Sequence, residues 1–115
     1  LLVDREALLD LRPALFGLTI DIGHVHCVEA GPIADHLRRW GELLFNVHIE
    51  DMKRGVHEHL MFGDGEIDFS PVMQTLGEID YAGCIHVELS RHGHVGPDVA
   101  SKSFAFLSGL LEPRV

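Results

Sequence analysis

Long hydrophobic runs are missing from this 115-residue sequence, and basic residues and cysteines are scarce. A membrane-crossing helix needs roughly 18 or more consecutive apolar residues, and no stretch supplies them, so no membrane partner is expected. Nine Lys and Arg face eighteen Asp and Glu, a formal net charge of −9 with histidine neutral. That excess repels phosphate backbones, so no nucleic-acid partner is expected through a broad basic face. Two cysteines, Cys27 and Cys84, are too few for a disulfide scaffold and suit a reducing, cytoplasmic setting. No GxxxxGK phosphate loop occurs, and Gly63-Asp64-Gly65 does not open a helix as a dinucleotide fingerprint must.

What is plentiful is histidine, nine in all, within a chain that is 46% hydrophobic and 23% charged, the composition of a globular protein. Helix-like and strand-like segments alternate. Residues 4–12 read as an amphipathic helix stopped by Pro13. Residues 17–24 read as a strand, 31–42 as a helix with Pro32 near its start, and 43–50 as a second strand, apolar almost throughout. A polar stretch over 51–66 leads to a helix over 70–79 that Pro71 opens. Tyr81-Ala82-Gly83 then turns into a third strand over 84–89, and a last helix covers 98–111. Apolar strands alternating with amphipathic helices specify an α/β fold of three parallel βα units preceded by a helix.

In such folds functional groups gather at the carboxyl ends of the strands. Here those ends carry Asp21 and His24, then His48, Glu50 and Asp51, then His86 and Glu88. Adjacent strands lie about 4.8 Å apart, so Asp21, His48 and Glu88 are placed to converge on one divalent cation. A carboxylate and imidazole set suits manganese, zinc, cobalt or iron(II) better than calcium. Residues two apart share a face of a strand, so His48 pairs with Glu50 and His86 with Glu88. Only one of each pair is expected level with Asp21, and His86 is expected to point inward behind the ligands. His57 and His59 form a His-x-His pair, a candidate second metal or loop site. Lys53 and Arg54 are candidates for holding a substrate oxygen. His92 and His94 are expected in a mobile loop at the same mouth. Cys27, although flanked by histidines, lacks an orienting partner for nucleophilic catalysis.

Four motifs, Thr19-Ile-Asp-Ile-Gly-His24, Val47-His-Ile-Glu-Asp51 with Arg54, Gly63-Asp-Gly-Glu-Ile-Asp-Phe69 and Tyr81-Ala-Gly-Cys-Ile-His-Val-Glu-Leu89, occur in order. Together they resemble the sugar (phosphate) isomerase/epimerase family of the xylose isomerase-like TIM barrel superfamily. The resemblance implies a partial TIM barrel whose three strands match the sixth, seventh and eighth, with residues 1–115 as the C-terminal fragment of a (β/α)8 barrel. It implies Asp21, His48 and Glu88 as metal ligands, Glu88 also as the catalytic acid/base, and His24 and Arg54 as substrate-binding residues. The cofactor implied is a divalent ion such as manganese, zinc, cobalt or magnesium, and the partner a small-molecule sugar or sugar phosphate. A second glutamate, from a fifth strand, completes the family's site and is not in this sequence. Either a missing N-terminal half-barrel or a homo-oligomer would close the sheet. The implied reaction is proton transfer through an enediolate. An endonuclease IV-like metal-dependent phosphodiester hydrolase is the alternative, against which Gly55 (where that group carries aspartate) and the charge both weigh. A non-catalytic barrel fragment is a third reading.

Overall fold

A computed structural model describes residues 6, 7, 10 and 17–111. Glu6, Ala7 and Asp10 are helical, and the rest of the leading helix expected over 4–12 lies outside the described residues, as does Pro13. The chain then runs through β1 (Leu18–Asp21), α1 (Ile22–Val28), α2 (Ile33–Trp40), a 3-10 turn (Gly41–Leu43) and β2 (Leu44–Ile49). It continues with β3 (Asp51–Lys53), β4 (Val56–Leu60), α3 (Phe69–Glu78), β5 (Ile85–Val87), a 3-10 turn (Gly93–Val95) and α4 (Gly96–Leu111).

The expected α/β architecture is present. Strands β1, β2 and β5 form one parallel sheet in that order, with Asp21 level with His48 and His48 level with His86. Ile20, Val47 and Ile49 are buried together with Leu37 of α2 and Phe69, Val72, Met73 and Leu76 of α3. In α3 those four occupy positions i, i+3, i+4 and i+7, the stripe that turns one helix face to the sheet. Asp68 caps α3 by accepting from the Ser70 amide at 3.1 Å, and Pro71 fits its first turn, where no amide donor is needed. Val47, Ile49 and Leu37 have no exposed surface, and burying each such side chain is worth roughly 1.5–3 kcal/mol. At the far side Phe62 stacks on Phe106 of α4 with ring centroids 4.8 Å apart, and Phe69 meets both rings edge-on.

Three local expectations are corrected. The first strand ends at Asp21 rather than 24, because the Asp21 carboxylate accepts from the His24 amide at 3.0 Å and starts α1 at once. The polar stretch after β2 is not all loop: β3 and β4 pair as an antiparallel hairpin, with Lys53 opposite Val56. Gly55 takes the positive φ of 72° that its two-residue turn requires. Nor is β2 buried on both faces, since Phe45 is exposed while Asn46 and His48 are half-buried.

Candidate metal centre

The carboxyl ends of the three parallel strands bring the expected residues together. One ligand atom each from Asp21, His48 and Glu88 lies within 4.8 Å of the others. His48 Nδ1 stands 2.8 Å from Glu88 Oε2, and His48 Nε2 stands 3.3 Å from the Asn46 amide nitrogen. An imidazole protonated on Nδ1 satisfies both contacts, donating to Glu88 and accepting from Asn46. Glu88 lies just past β5, held there by its own amide donating to the Ile49 carbonyl at 3.1 Å. Its longer side chain spans the two-residue difference in height from His86, which is level with His48. His86 is exposed, its ring centroid 6.0 Å from that of His48. It belongs to no candidate cluster among the described residues.

A second cluster joins His24, His57 and His59, whose ligand atoms also lie within 4.8 Å of one another. His24 comes from the first turn of α1, and His57 and His59 from alternate positions of β4, where a strand puts both rings on one side. The Nε2 atoms of His24 and His57 are 2.9 Å apart, a distance that needs one ring to donate and the other to accept. His59 Nδ1 is 3.1 Å from the Glu88 carbonyl oxygen, so β4 leans over the end of β5. The hairpin that composition alone disguised as loop is therefore what carries the His-x-His pair to His24.

Between the two clusters stands Glu50. It has no exposed surface, and neither carboxylate oxygen has a hydrogen-bond partner among the described residues. The nearest cationic candidate, His59 Nδ1, is 3.9 Å away, beyond hydrogen-bonding reach. Burial, followed by the side chain of Asp21 and the charge of Glu88, pushes the Glu50 carboxyl up to about 9 from 4.5, while the nearby Gly23 amide draws it down. Gly23 is what lets it sit there: a Cβ at that position would stand 2.1 Å from Glu50 Oε1. As expected, only His48 of the His48 and Glu50 pair is level with Asp21, yet Glu50 reaches it from further along the strand. Glu50 closes a cluster with Asp21 and His24, as His48 does with Asp21 and Glu88. The signal in the sequence was an ionisable residue at the end of an apolar strand, discounted on height alone.

Asp51, next in the chain, is 1% exposed but fully satisfied. Its carboxylate accepts from the amides of Met52, Gly63, Gly65 and Ile67 at 2.9–3.1 Å. That ties the Gly63–Ile67 loop to the strand end and fixes the rim of the site. Arg54 lies at the hairpin turn, where its Nη1 donates to the carbonyl oxygens of His26 (2.9 Å) and Glu29 at the end of α1. Glu66 accepts from the Arg54 amide and contacts His26 Nε2 at 2.9 Å, and these contacts hold its carboxyl below the usual range, the His26 contact foremost. Lys53 is exposed. His92 precedes, and His94 lies within, a 3-10 turn rather than an irregular loop, and neither joins a cluster among the described residues. Cys27 is buried and free.

Known proteins resemble the chain over most of its length. "Uncharacterized protein MJ1311" from Methanocaldococcus jannaschii is 33% identical over 84 residues, covering 72% of this chain and 29% of that protein. The crystal structure of a xylose isomerase domain protein from Planctomyces limnophilus superposes with a TM-score of 0.71 at 20% identity, over 91% of this chain and 39% of the other. That of a D-allulose 3-epimerase from Methylomonas sp. superposes with a TM-score of 0.68 at 26% identity, over 91% of this chain and 41% of the other. The chain thus spans less than half the length of each of these proteins. The family profile for the xylose isomerase-like TIM barrel matches residues 5–110. With the parallel β1-β2-β5 sheet and the helices that follow its strands, the chain belongs to the xylose isomerase-like TIM barrel family, as part of a barrel.

Proposed function

We propose that the chain forms the metal-binding, C-terminal part of a divalent-metal-dependent sugar or sugar phosphate isomerase/epimerase. The observation that carries this is the convergence of Asp21, His48 and Glu88 at the ends of three successive parallel strands. Membership of the family and the likeness to a D-allulose 3-epimerase support it. The residues fit a cation: carboxylate oxygens and imidazole nitrogens suit manganese, zinc, cobalt or magnesium, and the buried oxygens of Glu50 beside them have no close hydrogen-bond partner among the described residues. Asp21, His48 and Glu88 would hold the ion. A second ion is proposed at His24, His57 and His59, in place of the hydrogen shared by His24 and His57.

When bound, a divalent ion supplies Lewis acidity toward the carbonyl and hydroxyl oxygens of a substrate. The chain supplies the proton chemistry. Glu88 takes the proton from the carbon beside the carbonyl and returns it. The opposite acid/base is assigned, by the resemblance, to a glutamate on a preceding strand of the same barrel. Arg54 has one nitrogen committed to α1, and the remaining donors of its guanidinium fork serve substrate oxygens. Asp51 keeps the rim loop closed around them.

Glu88→Gln in the intact protein tests the assignment. Turnover of ketoses, D-allulose among them, is expected to fall by at least about a thousandfold, in keeping with loss of an acid/base, while manganese still binds. Turnover equal to that of the wild type would remove Glu88 from the reaction.

A further inference from the structure

Within β2 the polar residues are Asn46 and His48, set among leucine, phenylalanine, valine and isoleucine. Asparagine is depleted in strands, so its place inside this one calls for a reason. Residues two apart share a face, which puts Asn46 behind His48 on the same side of the sheet, level with Thr19 of β1. Both side chains are half-buried. Among the described residues, the one side-chain hydrogen bond of Asn46 is to His48, with its amide nitrogen 3.3 Å from Nε2. His86, level with His48 on β5, meets the ring edge-on at 6.0 Å between centroids and leaves Nε2 to Asn46.

The two nitrogens of the His48 ring therefore face different partners, Nδ1 toward Glu88 at 2.8 Å and Nε2 toward Asn46. An ion held by Asp21, His48 and Glu88 meets this ring on the Glu88 side, at Nδ1. A coordinating imidazole nitrogen carries no proton, so the proton that Nδ1 directs at Glu88 in the metal-free chain has to leave. The ring stays neutral: Nδ1 gives up one proton and Nε2 takes one, exchanged through water, with none gained or lost overall. The new Nε2–H then needs an acceptor. The Asn46 amide carries both an NH2 group and a carbonyl oxygen, and turning it over brings the oxygen to where the nitrogen stood.

We propose that Asn46 is a positioning residue that selects the nitrogen with which His48 meets the ion. Its amide donates to Nε2 in the metal-free chain and turns over to accept from Nε2–H in the loaded one. It touches neither ion nor substrate and acts through His48. The proposal rests on the reading of Asp21, His48 and Glu88 as metal ligands and adds to them the residue that orients one. Which ring nitrogen of a histidine binds a metal is set by the hydrogen bond that the other makes.

Nitrogen-15 magnetic resonance of the histidine rings tests this in the intact protein, stripped with chelator and then titrated with zinc against a competing chelator. In the wild type the His48 proton is expected on Nδ1 without metal and on Nε2 with zinc bound. Asn46→Leu, similar in shape but without hydrogen-bonding groups, is expected to lose about 10–100-fold in zinc affinity read at the His48 signals. Asn46→Asp, which only accepts, is expected to hold zinc at least as tightly as the wild type. It is also expected to carry the His48 proton on Nε2 before any metal is added, a change that a packing role would not produce. Thermal unfolding without metal serves as the control for folding, and the wild-type spectra need no variant. A wild-type ring protonated on the same nitrogen with and without zinc would overturn the positioning role and leave the metal reading standing. So would wild-type affinity in folded Asn46→Leu, or Asn46→Asp as weak as Asn46→Leu. Zinc that leaves the His48 signals of the wild type unmoved would overturn the ligand reading beneath it.

Discussion

Glu50 shows at the scale of one residue how a site announces itself by what is missing around it. Without metal, its folded-state value of about 9 lies above the 4.5 of an ordinary glutamate, so the folded chain holds a proton that the unfolded chain releases. Its contribution to stability is then fully present below about pH 4.5 and is lost as pH rises through about 9. The metal-free protein is therefore expected to melt at a lower temperature at about pH 8.5 than at about pH 5. Glu50→Gln is expected to flatten that part of the profile, as calorimetry with chelator present would show. A variant that follows the wild-type profile throughout would mean that Glu50 is not the titrating group. Gly23→Ala belongs beside it: the added methyl meets Glu50 Oε1 at 2.1 Å, and a loss of roughly 1–3 kcal/mol is expected in denaturant unfolding. Asp21, His48 and Glu88 were legible in the sequence because each ends an apolar strand, a place where a charge has little other reason to stand. Glu50 was marked by its place at the end of an apolar strand, but its complete burial is set by tertiary packing, which no spacing displays.

Among the elements, the hairpin of β3 and β4 does the work that a composition-based reading assigns to a loop. Its strands are short, and β4 is mostly exposed, so neither the apolar content nor the alternation of a buried strand marked it. The one local cue was Arg54-Gly55, a two-residue turn with glycine where φ is positive. Helix α1 was hidden for a different reason: Ile22 continues the β-branched run of β1, and only the capping bond from Asp21 ends the strand there. Helices α2 and α3 were legible from their apolar spacing and prolines. The rim loop depends on Asp51, whose carboxylate takes four amide donors in a buried setting. Asp51→Ala leaves those amides without acceptors, and a loss of roughly 3 kcal/mol or more is expected. Amide exchange at Gly63 and Gly65 should speed up in step; unchanged protection there would show that the loop holds itself.

On the scale of the whole molecule, the α/β class and the strand order followed from the alternation of segments, and the parallel sheet brings three strand ends to one place. Strands β1 and β5 each have one edge without a partner among the described residues. Such edges accept further strands, so the 115 residues expressed alone are expected to self-associate, which light scattering on a sizing column would detect; a monodisperse monomer would contradict this. On the proposed function, these strand ends move a proton next to a sugar carbonyl. Proton nuclear magnetic resonance of a ketose incubated in heavy water with the intact, manganese-loaded protein tests it most directly. Deuterium is expected to enter at the carbon beside the carbonyl, to stop on addition of chelator, and to be absent with Glu88→Gln. Ketoses that keep every carbon-bound hydrogen in the presence of the metal-loaded protein would contradict the account.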